Sequence, residues 1–202
     1  GLEADTIGGF NSMIEKQKQE AGEAYISTLL FDKETKVIHD RVPVSAIEPM
    51  TDEQYCVGGC TALLDAIGGA VKHIANIHKY ARDEDRPEKT LFIITTDGLE
   101  NASHIYSYKK VKKMVESQKN KYDWEFLFLG ANIDAIEEAG KFGISADRAV
   151  NYECDEVGTA IHYEAVAKAV SAVRKTTSKE ELAFAMDESM APVRADYKKR
   201  HK

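Results

Sequence analysis

The chain has few cysteines, no long apolar run and no excess of basic charge, and each shortage removes a class of protein. Three cysteines, Cys56, Cys60 and Cys154, in 202 residues are too few, and odd in number, for a disulfide scaffold; they fit reduced thiols in a cytosol. Cys56 and Cys60 could pair or form half of a zinc site, but no second Cys or His pair lies nearby at zinc spacing. No apolar run approaches the ~20 residues of a membrane-spanning helix, and no signal peptide is visible, so the expected location is the cytoplasm. The net charge is −7, from 27 basic and 34 acidic residues spread along the chain. That speaks against general nucleic-acid binding, which uses a basic surface. Also missing are a GxGxxG dinucleotide loop and the Lys-Ser/Thr ending of a phosphate-binding loop. His39, His73, His78, His162 and His201 show no HExxH spacing.

What is present alternates. Ile7, Phe10 and Ile14 step by three and four, so residues 3–21 are expected to form an amphipathic helix. Residues 24–31 and 36–42 are strands joined by the polar turn DKET, an antiparallel hairpin at a sheet edge. A loop covers 43–59. A helix runs from Thr61 to about Arg82, with Leu63, Ile67, Val71 and Ile74 on one face. TLFIITT (90–96) and WEFLFLG (124–130) are continuous apolar runs, the pattern of strands covered on both faces. Helices are expected at 107–120, 134–141 and 157–173, and a short strand in RAVNY. Residues 176–202 read as a short helix near 178–188 and a loose polar tail. No internal repeat appears.

Buried strands alternating with helices make an α/β fold. In such sheets ligands bind beyond the carboxyl ends of the strands. That rule selects Phe31-Asp32, Thr96-Asp97-Gly98 and Gly130-Ala131-Asn132, with the GGCT loop opening onto the same edge. Asp97 ends the most apolar strand, where a carboxylate needs a partner. Thr61 offers a hydroxyl at a helix start. A carboxylate and a hydroxyl on neighbouring loops suit a hard cation such as Mg²⁺, which takes oxygen ligands and keeps several waters. Two plainer roles compete: Thr61 as a helix N-cap and Asp97 as a turn residue before Gly98.

YCVGGCTALLDAIG (55–68) and LFIITTDGLEN (91–101) resemble the second and third motifs of the von Willebrand factor A domain family, about 36 residues apart and in the right order. The likeness covers residues 1 to about 175 and is closest to small stand-alone bacterial or phage members. It implies a Rossmann-like doubly wound, mainly parallel sheet with one antiparallel edge strand and helices on both faces, followed by a C-terminal helix and tail at 176–202. It implies that Thr61 ligates a metal directly and that Asp97 is the acidic residue of the third motif, often reaching the metal through water. The family's metal ion-dependent adhesion site holds Mg²⁺ or Mn²⁺, and a partner's carboxylate commonly fills the open position. The family's first motif, Asp-x-Ser-x-Ser at the end of a central strand, is not among these residues. The expectation is that ~10–15 residues, a strand and its motif loop, precede Gly1, and that the 202 residues alone bind metal weakly.

The partner-facing rim is expected to include Gly59, Cys60, Gly98, Glu100, Asn101 and Asn132, with His104 nearby. Solvated loop residues are the plainer account of Glu100, Asn101 and His104, and helix capping that of Asn132. Asp65 suits the positive end of its helix, and Cys60 is expected to pack. Lys109, Lys110, Lys112, Lys113, Lys119 and Lys121 form a solvated helix face, or else meet an acidic or nucleic-acid partner. The leading expectation is therefore a metal-dependent protein-binding module, not an enzyme. The alternatives are a Mg²⁺-dependent hydrolase or phosphotransferase using Asp97, and a metal-free scaffold. An enzyme would need a second group in reach, and TTDGLEN offers Glu100 at best.

Overall fold

The computed structural model describes residues 1–55 and 57–202. The alternation of apolar strands and amphipathic helices produces an α/β chain that divides into two units. The first comprises Gly1–Leu30, Lys36–Gly58 and Val150–Lys202; the second comprises Phe31–Thr35 and Gly59–Ala149.

In the first unit, helix α1 (Glu3–Lys18) carries Glu3 and Asp5 in its first turn and Lys16 and Lys18 in its last, matching the helix dipole at both ends. It buries Met13, Ile14 and Gln17. Strands β1 (Tyr25–Phe31) and β2 (Thr35–Pro43) form the expected hairpin; its turn, closed by the Glu34 amide donating to Asp32 Oδ1 at 2.9 Å, belongs to the Phe31–Thr35 segment of the second unit. Helix α5 (Glu156–Lys175), capped by the Asp155 side chain, packs against both α1 and α6. Arg174 on α5 donates to the carbonyls of Gln17, Glu20, Ala21 and Gly22 and so closes the C-terminal end of α1.

Helix α6 (Lys179–Arg200) differs from the expected short helix and loose tail. Ser178 caps it, and Met186, Ser189, Met190 and Val193 are buried on one face. That apolar stripe runs past the expected end at 188. Pro192 lies inside the helix, and that residue, with the polar sequence around it, hid the continuation.

The second unit holds α2 (Leu63–Tyr80), β3 (Leu91–Thr96), α3 (Tyr108–Tyr122), β4 (Glu125–Gly130), α4 (Ala135–Lys141) and the first residue of β5 (Ala149–Asn151). Strands β3 and β4 pair in parallel, from Leu91 opposite Glu125 to Thr96 opposite Gly130. Their sheet has the order β3-β4-β5. The α2 face read from the sequence, Leu63, Ile67, Val71 and Ile74, is buried in one core with Ile94, Val111, Val115, Phe126 and Phe128. Phe92 stacks on Trp124 and Phe126 at 5.4 and 5.1 Å.

One sheet with an antiparallel edge strand was expected. The pairing instead gives a parallel three-stranded sheet and a separate antiparallel pair. Among the described residues no strand pairs with both β1 and β3, so β3 stands at the end of its sheet.

Candidate functional site

The site lies in the second unit, where the start of α2 meets the loop that leaves β3. A helix start presents amides with no intrahelical partner. Here the N-cap residue, Ala62, supplies no side-chain cap. The free amides are received from elsewhere. Thr61 donates to Asn101 Oδ1 at 2.8 Å, Ala62 to the Asp32 carbonyl at 2.7 Å, Leu64 to Glu100 Oε2 at 2.8 Å and Asp65 to Ser103 Oγ at 3.0 Å. Three of these four acceptors belong to one loop, nearly forty residues downstream.

The loop is held in return. The Asn101 amide donates to the Thr61 carbonyl at 3.0 Å. Glu100 Oε1 accepts the amides of Ala102 and Ser103, and Oε2 accepts the Ser103 hydroxyl at 2.7 Å. The Asp65 carboxylate accepts the amides of His104, Ile105 and Tyr106 at 2.8–3.0 Å. Six consecutive amides, 101 to 106, are thereby committed. Burial pushes the Glu100 carboxyl up, but the hydrogen bonds from Leu64, Ser103 and Ala102 outweigh it and hold the group below its ordinary range. Burial acts the same way on Asp65, and the three loop amides, with His104 nearby, again win. Asp65 and Glu100 are thus ionised struts, a role beyond the helix-end charge and rim contact expected of them.

The side chains of Thr61 and Asp97 stand apart from this network. Thr61 precedes the N-cap residue Ala62, and its hydroxyl makes no hydrogen bond among the described residues. The turn after β3 is held by Thr96, whose hydroxyl donates to the Gly98 carbonyl at 2.9 Å and accepts the Gly98 amide at 3.3 Å. Asp97 is exposed, and its carboxylate has no hydrogen bond or ion pair among the described residues. Of the two plainer roles, the N-cap position falls to Ala62 rather than Thr61, whereas Asp97 does lie in the bend before Gly98. A Cβ placed on Gly98 would stand 3.3 Å from Thr61 Oγ1, so the hydroxyl lies against the residue next to Asp97, and the glycine permits that approach.

A hydroxyl and a carboxylate are the donor types a hard cation takes. Two such groups would supply two of the roughly six positions of Mg²⁺ and would leave the rest to water or other ligands. Among the described residues no three His, Cys, Asp or Glu side chains form a group that could hold a metal ion. The chemistry of the two donors fits a hard cation.

The remaining rim positions divide. Gly59 and Cys60 are exposed, and the Cys60 thiol is free, so the expected packing is not seen. A pairing with Cys56 lies outside the described residues. The Asn101 side chain is occupied by Thr61. Asn132 is exposed in the left-handed region (φ 57°), and Asp134, not Asn132, caps α4. The β4 end is tied to the β3 end by the Ala131 amide on the Thr96 carbonyl at 2.9 Å. On α3, Lys110 lies over the Tyr106 ring, Lys119 donates to the Gly143 carbonyl, and Lys109, Lys112, Lys113 and Lys121 are exposed.

Compared with family models, curated proteins and solved structures, the chain finds no match. Among the described residues no helix is long and apolar enough to cross a membrane.

Proposed function

We propose that this chain is a divalent-cation-dependent protein-binding module of the von Willebrand factor A type. Thr61 and Asp97 hold Mg²⁺ or Mn²⁺, and an acidic side chain of a partner protein completes the site. The observation that carries this is the contrast at the start of α2. The side chains of Asp65, Glu100, Asn101 and Ser103 are spent on structure, while the Thr61 hydroxyl and the Asp97 carboxylate make no hydrogen bond among the described residues. An exposed carboxylate attracts a cation but is a poor nucleophile without a base in reach. Glu100 cannot serve as that base readily, because its oxygens already accept four hydrogen bonds.

When bound, the cation supplies a fixed positive charge that a carboxylate can grip. The chain's part is to present two oxygens on a backbone tied by the hydrogen bonds of Asn101, Glu100 and Asp65. The test is a Mn²⁺ titration followed by amide NMR on the 202-residue chain. Line broadening is expected first at residues 59–62 and 97–99, and Thr61→Ala or Asp97→Ala should remove it. Broadening spread evenly over all acidic surface, unchanged by either substitution, would overturn the proposal.

A further inference from the structure

We infer that Glu100 is a positioning residue for the Thr61–Asp97 pair. The inference takes that pair as the functional one and so rests on the reading above. Glu100 makes no hydrogen bond to either residue, yet it joins the segments that carry them. It sits three positions after Asp97, and its carboxylate reaches Leu64, three positions after Thr61. A loop leaving a strand is normally among the more mobile parts of a fold. Here Glu100 folds that loop on itself, through Ala102 and Ser103, and fastens it to the helix in the same act. Ser103 extends the link, donating to Glu100 and accepting the Asp65 amide. The reciprocal Thr61–Asn101 pair follows directly on Glu100 in the loop and ties it to the residue that bears the hydroxyl.

Hydrogen bonds donated to an ionised acceptor are stronger than neutral ones. A charged acceptor serving four donors therefore makes the loop and helix start one body. Releasing it frees Asn101, and with Asn101 the amide and carbonyl of Thr61. Two oxygen ligands bind a cation well only when their spacing is fixed before it arrives. The spacing here is set by a residue that never touches the ion.

The experiment is amide hydrogen exchange on the full chain for the wild type, Glu100→Gln, Ser103→Ala and Ile67→Val. The last is a control that loosens the core away from the loop. Glutamine keeps the size of Glu100 but removes the charge and points an NH₂ at donors. The decisive amide is Thr61, which Glu100 does not touch. Its protection is expected to fall at least tenfold in Glu100→Gln, and by less in Ser103→Ala. Protection at residues 126–129 of β4 should stay unchanged. The Mn²⁺ concentration for half-broadening of Gly98 should rise at least threefold in Glu100→Gln and stay fixed in Ile67→Val. Thr61 protection retained in Glu100→Gln and Ser103→Ala would overturn the inference, whatever the metal does. If Glu100→Gln does not fold, Ser103→Ala decides the question alone. Absence of broadening near Gly98 in the wild type would overturn the cation reading only, and Thr61 protection would still judge the role of Glu100.

Discussion

The Glu100 carboxylate accepts the Leu64 amide at 2.8 Å across 36 positions of sequence. Its hydrogen bonds keep it ionised below its ordinary value of 4.5. A carboxyl whose pKa is lower in the folded state stabilises the fold fully above the unfolded value, and loses that contribution as pH falls through the folded one. Urea unfolding of wild type and Glu100→Gln should therefore differ by a constant amount above about pH 5, and the difference should shrink below 4.5. A difference that grew on acidification would contradict the assignment.

Thr61→Ala and Asp97→Ala should each leave stability within about 0.5 kcal/mol of wild type, since neither side chain makes a hydrogen bond among the described residues. Asn101→Ala, by contrast, leaves the Thr61 amide without its acceptor and should cost ~1 kcal/mol or more. Denaturant midpoints of the three variants show which of these side chains the fold depends on.

His162 is buried on α5 between Tyr152 and Tyr163, whose rings lie 4.7 Å away, and burial pushes its pKa from 6.5 down to about 3. Between those values the unfolded chain takes up a proton that the folded chain refuses. Stability should then fall as pH drops below 6.5, with a slope of at most about 1.4 kcal/mol per pH unit. His162→Leu should flatten the profile between pH 6.5 and 5. An unchanged slope would assign it to another group.

Two adjacent glycines in α2 should respond in opposite directions. A Cβ on Gly68 would stand 2.6 Å from the Tyr106 ring, whereas one on Gly69 meets nothing within 4 Å. Gly69→Ala should stabilise by ~0.5–1 kcal/mol through helix propensity. Gly68→Ala gains the same but must displace a ring whose own amide is held by Asp65, at an overpacking cost of ~1–3 kcal/mol. Adding Tyr106→Ala should relieve much of that cost, giving a measurable coupling in a double-mutant cycle.

Met190 is 1% exposed on α6. Met190→Ala should destabilise by ~2–5 kcal/mol. Residues beyond 188, if a loose tail, would show no such effect in thermal or denaturant unfolding.

The sequence by itself determined the α/β class, the starts of most helices and strands, and the inward face of α2. It also singled out Thr61 and Asp97 as a pair worth testing, and the fold sets the Thr61 hydroxyl against Gly98, the neighbour of Asp97. These features are local: a period of 3.6 or an unbroken apolar run is written in neighbouring residues. Only the tertiary structure decided that the start of α2 would be capped by Glu100, Asn101 and Ser103, that Asp65 would hold three loop amides, and that α6 would continue past Pro192. A carboxylate that accepts a backbone amide 36 or 41 positions away leaves no pattern in the sequence, because every residue except proline offers the same amide. Which amide it meets depends on where the chain has already been brought.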